Sequence, residues 1–199
     1  MKSRRRLRDS IVGITDSALR RIAYTAGASS MSSLVYEELR GILKAKMETI
    51  LYKAVTNTEY KRKITIDEYA IVSSISPKMW SIDPKAKACG VRKSKSRSKS
   101  QRKKSAIYNA LLNIRFYQKR YDCLNIPMAP FSRLSREIGM DFKADLRFTK
   151  KALIIFQYAM ENYLLEVLEK SLSFTAHSNR SRIEAKDIIL ATKHVKKIF

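Results

Sequence analysis

Residues 150–177 read KKALIIFQYAMENYLLEVLEKSLSFTAH. Leu153, Ile154, Phe156, Met160, Tyr163, Leu164, Val167 and Leu168 recur at helical spacing and occupy much of the circumference. A helix that is apolar on several sides must be buried on several sides. Residues 34–61, LVYEELRGILKAKMETILYKAVTNTEYK, repeat the pattern more weakly, with apolar residues at 35, 39, 42/43, 47, 50/51 and 54/55. Each stretch predicts about seven turns, or roughly 42 Å of helix.

Short helical segments flank each long one. Before the first lies ITDSALRRIAYTAG, with Thr15 or Asp16 as cap, a stripe at Leu19 and Ile22/Ala23, and Gly27 to close it. After it lies TIDEYAIVSSISP, capped by Thr65 or Asp67 and stopped by Pro77. In the second half, APFSRLSREIGMDF puts Phe131, Leu134 and Ile138 on one face, and RIEAKDIILATKHV closes the chain. An offset of 117 residues aligns the halves, pairing Ile66 with Ile183, Asp67 with Glu184, Ile71 with Ile188 and Lys63 with Arg180. Identities are few, so the duplication is one of architecture. A single short–long–short unit cannot cover both sides of a 28-residue helix, so two must pack together. The fold expected is all-α: two such units in one chain, with an extra helix (SAIYNALLNIRFYQKR, residues 105–120, stripe Ile107, Leu111, Ile114) before the second.

The 41 Lys+Arg against 18 Asp+Glu give a formal net charge of +23. A compact domain so charged repels itself and calls for a polyanion, of which nucleic acid is the commonest. The charge is +6 over residues 1–76, +10 over 77–105 and +7 over 106–199. VRKSKSRSKSQRKK carries no core-forming residue after Val91 and reads as a solvated linker. Its reach, roughly 30 Å r.m.s., lets the halves meet within one chain. The expected segments are a basic arm (1–15), a first unit (16–76), the linker (77–104), an extra-helix region (105–124) and a second unit (125–199).

No run long enough to span a bilayer exists, and no apolar segment follows Met1, so neither membrane nor signal peptide is expected. Cys89 and Cys123 stand alone, and His177 and His194 form no ligand spacing with them, so no metal or other cofactor is expected. Phosphate-loop and Ser/His/Asp motifs are absent, which argues against an enzyme. A separate feature is DLRFT, residues 145–149, where Arg147 is wedged between Leu146 and Phe148. The apolar neighbours can act as a mount that aims the arginine outward.

The segments LRDSIVGITDSALRRIA, LVYEELRGILK and AVTNTE resemble histone H-four; PFSRLSREIGMDFKADLRF, RIEAKDIILA and IRFYQK resemble histone H-three. In that order they are similar to the histone doublets of Marseillevirus-type giant viruses. The resemblance implies a handshake in which the first loop of each unit lies beside the second loop of the other. It implies a structural protein of a nucleosome-like core that wraps double-stranded DNA without reading bases. The implied location is the virion interior and the host nucleus or a cytoplasmic viral factory. The implied DNA contacts are Arg20, Arg21, Arg62, Lys63, Thr65, Arg115, Lys119, Arg133, Arg136, Arg147, Lys150, Arg180 and Arg182. Phe174, His177, Asp187 and Leu190 would meet a second copy of the chain. Asn57 and Tyr60 would meet a histone H-two-B/H-two-A-like doublet, and they replace the Tyr and His of the family. Arg180 has a second implied role, bracing the loop through Asp187; the first half has Lys63 and Ala70 there, so that brace is expected to be absent unless Asp67 substitutes.

Ser30 stands where histone H-four has a minor-groove arginine, and by the offset it is the counterpart of Arg147. A looser hold on DNA is expected there. The competing reading is a histone-fold transcription-regulatory module, since fold alone does not decide function.

Overall fold

In the computed structural model of the chain, residues 10–75, 87–88, 106–119 and 123–198 are described. The arm up to residue 9, the linker apart from 87–88, Pro77, Cys89 and Arg120 lie outside them. After a 3₁₀ turn at Ser10–Gly13, the elements of the first half are α1 (Asp16–Ala26), β1 (Ser30–Met31), α2 (Ser33–Tyr60), β2 (Thr65–Ile66) and α3 (Glu68–Ser74). A short strand β3 (Lys87–Ala88) follows. The second half has α4 (Ala106–Gln118), β4 (Cys123–Leu124), α5 (Met128–Phe142), β5 (Arg147–Phe148), α6 (Lys150–His177), β6 (Arg182–Ile183) and α7 (Ala185–Ile198). The short–long–short arrangement occurs twice, and α2 maps onto α6 residue for residue at the 117 offset.

The local signals act largely as the residues suggest. Gly27 closes α1 with φ 100° in the left-handed region that glycine adopts freely, and its N–H and that of Ala28 return to carbonyls of the last turn. Thr149 caps α6 by accepting the Ala152 N–H at 3.2 Å. The caps of α1 and α3, Thr15 and Asp67, make no such side-chain bond. At the ends of the long helices Arg62 (φ 54°) and Asn179 (φ 53°) are both left-handed, again 117 apart. Asparagine tolerates that region; for Arg62 it costs roughly 1–2 kcal/mol.

The units clasp each other. The long helices cross, and each also packs on the other unit's short helices: α2 on α5 and α7, α6 on α1 and α3. The shared core holds Leu39, Leu43, Met47, Leu51, Phe156, Met160, Leu164 and Val167, all fully buried. Two strand pairs lock the ends. β1 runs parallel to β6 with Ser30 opposite Arg182, and β2 runs parallel to β5 with Thr65 opposite Arg147. The first loop of each unit thus lies beside the second loop of the other. The bonds repeat under the offset: the Ser32 N–H donates to Ile183 O at 3.0 Å, and the Thr149 N–H donates to Ile66 O at 3.2 Å.

The extra helix α4 forms, but one residue of the expected stripe faces outward, and the side chain of Ile107 lies outside those described. Leu111 remains 51 % exposed and Ile114 half-buried. The inner face of α1 is already taken by the core through Ala18, Leu19, Ile22 and Ala23. α4 therefore docks on α1 near its own C-terminal end, where Tyr117 stacks on Tyr24 at 5.9 Å and Gln118 Nε2 donates to Thr25 O at 3.5 Å. The segment that follows is pinned from α6: buried Glu161 accepts the Asn125 and Ile126 N–H groups at 2.8 and 2.9 Å, and Gln157 Nε2 donates to Ile126 O at 2.6 Å. β3 pairs alongside, with Lys87 opposite Cys123.

Gly139 of α5 packs against the DLRFT mount. A Cβ there would meet Leu146 Cδ2 at 2.9 Å and two Phe148 ring atoms at 3.2 Å. Overpacking of this kind costs about 1–3 kcal/mol. Gly139→Ala is expected to lower unfolding stability by about 1 kcal/mol or more in denaturant titration, although alanine is the better helix former.

Candidate nucleic-acid interface

Strand alternation decides which side chains the paired loops present. Ile66 and Ile183 are fully buried and Phe148 and Met31 half-buried, so their neighbours Thr65, Arg182, Arg147 and Ser30 face the other way. Leu146 is buried on one side of Arg147 and Phe148 half-buried on the other. The mount is real geometry: Arg147 is exposed, and its side chain has no hydrogen bond or ion pair among the described residues. The same holds for Arg182. The pair at Arg147 adjoins the N-terminal end of α6, where exposed Lys150 stands; the pair at Ser30 adjoins the N-terminal end of α2. Such helix ends favour anions.

Other basic residues separate into two groups. Arg62, Arg115, Lys119, Arg133 and Arg136 are exposed, with no ion pair among the described residues. Of the other expected contacts, Arg20, Arg21, Lys63 and Arg180 are engaged inside the chain. Arg21 is half-buried and its Nη2 donates to Asn125 O at 2.6 Å, which turns the guanidinium toward the second half and away from solvent. Arg20 donates through Nε to the Tyr36 hydroxyl at 3.0 Å and lies over that ring; the bond raises its pKa further. It stays exposed and lines a recess of about 250 Å³ beside Ser29, Ser30 and Tyr36. Arg40, which the sequence did not single out, donates to Ile14 O at 3.0 Å and pairs with Asp16.

Arg180 serves as the brace. Its two terminal nitrogens reach Asp187 at 2.8 and 3.1 Å, and Nη1 also meets Glu184 at 3.2 Å. Asp187 in turn accepts the Glu184 N–H at 3.0 Å, capping the start of α7. Burial pushes the Asp187 carboxyl up, but the Arg180 and backbone hydrogen bonds outweigh it and hold Asp187 below the ordinary carboxylate range. Glu184 is likewise lowered, chiefly by its bond to Lys186. In the first half the brace exists in smaller form, Lys63 Nζ to Asp67 at 2.7 Å, both exposed. Exposed pairs of this kind contribute roughly 0–1 kcal/mol.

The residues expected to meet other chains lie at opposite ends. Phe174, His177, Asp187 and Leu190 line one groove of about 460 Å³ together with Ile189 and Lys193. Leu190 is 51 % exposed and Ile189 43 %, and Phe174 meets His194 edge-on at 6.4 Å. At the other end Asn57 Nδ2 donates to Ser73 Oγ and Ser74 Oγ at 3.1 and 3.3 Å, whereas Tyr60 is 90 % exposed. Lys61 lies 3.9 Å over the exposed Tyr69 ring nearby. Among the described residues no group of three or more His, Cys, Asp and Glu side chains is placed to hold a metal, and no helix is long and apolar enough to cross a membrane.

Sequence reasoning missed the Glu161–Gln157 pin, because burying a carboxylate against a distant backbone leaves no periodic trace. It also missed the inward commitment of Arg21, which depends on a carbonyl 104 residues away.

The sequence of the second half has a match among known families. The family model of the core histone domain, which spans the H-two-A, H-two-B, H-three and H-four types, matches residues 92–194. That stretch contains all four helices α4 to α7 up to His194 and is just over half of the chain. The chain belongs to the core histone family.

Asp187 contributes stability as an ionised group, so its contribution is complete above the unfolded carboxylate pKa and is lost as pH falls through its lower folded value. Asp187→Asn is expected to lower the thermal midpoint at neutral pH. That deficit should close on acidification, as followed by circular dichroism across an acid pH series.

Proposed function

We propose that the chain is a structural DNA-packaging protein, a histone H-four-like unit fused to a histone H-three-like unit in a nucleosome-like particle that wraps viral genomic DNA without base-specific readout. In this reading residues 16–74 form a second histone fold beside the one in the second half. The carrying observation is the pair of crossed loops, each presenting an exposed arginine beside a long-helix N-terminus. Wrapping needs cations at repeated fixed points along a curved path, and exposed arginines with apolar mounts supply them. Arg62, Arg115, Lys119, Arg133, Arg136 and Lys150 add charge, Thr65 a hydroxyl beside Arg147. Lys63, Arg180 and Arg20 give theirs while already paired, and Arg21 acts by holding the two units together.

The groove at Phe174, His177, Asp187 and Leu190 receives the same groove of a second copy. The end at Asn57 and Tyr60 receives an H-two-B/H-two-A-like doublet. The protein works in the virion interior and in the host nucleus or a viral factory.

Two experiments test this. Reconstitution on DNA with the partner doublet, followed by nuclease digestion, is expected to leave discrete protected fragments. Arg147→Ala should weaken binding and lower the salt slope by about 1, with Ser30→Ala changing little. A smear of fragments with wild-type protein counts against a nucleosome-like particle. Separately, Leu190→Glu is expected to shift the chain toward the monomer in sedimentation velocity, with helicity by circular dichroism unchanged because the residue is half exposed. Persistence of the self-associated form would place the copy–copy contact elsewhere.

A further inference from the structure

We infer that Arg182 replaces, from across the strand pair, the DNA-facing cation that position 30 lacks; the inference rests on the DNA-wrapping reading. At the 117 offset Ser30 corresponds to Arg147, and Thr65 corresponds to Arg182. The strand registers set Ser30 opposite Arg182 and Thr65 opposite Arg147. Each pair therefore holds one arginine and one hydroxyl, but the order is inverted. In one pair the arginine comes from the first loop of its unit, in the other from the second loop.

Side chains opposite one another in neighbouring strands share a face, with backbones about 4.8 Å apart. The face is the outward one in both pairs, since Ile183 and Ile66 fill the inward one. An arginine is long and flexible enough to span that shift, so its guanidinium can reach the same point from either strand. Arg182 is also free to do so. The acids beside it are already engaged, Glu184 by Arg180 and Lys186, and Asp187 by Arg180. Its own side chain has no hydrogen bond or ion pair among the described residues. Ser30 Oγ instead donates weakly to Ser181 O at 3.4 Å, tying the serine to the strand that carries the arginine. The loose contact expected at position 30 is then no loss at all, because the charge has changed strands without leaving the site.

The same site still differs in its surroundings. Lys150 and Arg62 flank the pair at Arg147; the offset puts Ser33 and Asn179 beside Arg182, with Arg20 lining the adjoining recess.

The test is the salt dependence of binding of the full chain, with its partner doublet, to a random-sequence duplex. Arg182→Thr should reduce affinity and lower the salt slope by about 1, as Arg147→Ala does. Ser30→Arg in the Arg182→Thr background, which moves the arginine back across the pair, should restore both. If Arg182→Thr leaves the slope unchanged while Arg147→Ala lowers it, or if the double variant fails to recover, the strand exchange is wrong and DNA wrapping stands. If neither single variant alters binding, the DNA-wrapping reading falls and the inference with it. Circular dichroism on each variant checks folding, and recovery in the double variant separates lost contact from lost structure.

Discussion

A 28-residue helix with apolar groups around much of its girth has to be covered from several directions at once. α6 buries thirteen of its residues and α2 ten. The short helices of one unit are too few to cover such a surface, so each long helix takes its cover from the other unit as well. Burial at roughly 25 cal/mol per Å² makes this the largest favourable contribution to the fold. The crossing of the long helices then brings opposite ends of the two units together. The two-residue strand pairs follow from that crossing and could not hold on their own.

This clasp also sorts the charges. A chain at +23 uses some cations internally and leaves others facing solvent. Arg21, Arg40 and Arg180 each secure a junction: between units, between α2 and the entry to α1, and between loop and closing helix. Arg147 and Arg182 secure nothing inside the described chain. Leaving them exposed and unpaired adds to self-repulsion, which a bound polyanion offsets. The Glu161 pin belongs to the structural side of this division. Burial raises its carboxyl pKa while two backbone N–H groups and Gln157 favour the ionised form, and the net direction is upward.

Much of the architecture was legible in the residues. The long helices, their flanking partners, Gly27 as a stop and the extra helix all came from periodicity and capping chemistry. The mount around Arg147 was readable because alternation along three residues is a local property. The docking side of α4 was not, since Leu111 is apolar yet exposed, and the choice went to Tyr117 once α1 had no inner face to offer. Arg20, Arg21 and Arg62 look alike as basic residues on the chain. Their different fates, a ring, a carbonyl and open solvent, depend on neighbours far away in sequence.

The sequence by itself determined helix identity, the twofold repetition at an offset of 117, the basic balance and the residues able to face outward, because each is set by local propensity and composition. Only the tertiary structure decided register: that Ser30 lies opposite Arg182 and Thr65 opposite Arg147. Register between strands so far apart along the chain depends on how two long helices cross. That crossing is set by the packing of the whole core, which no local stretch of sequence encodes.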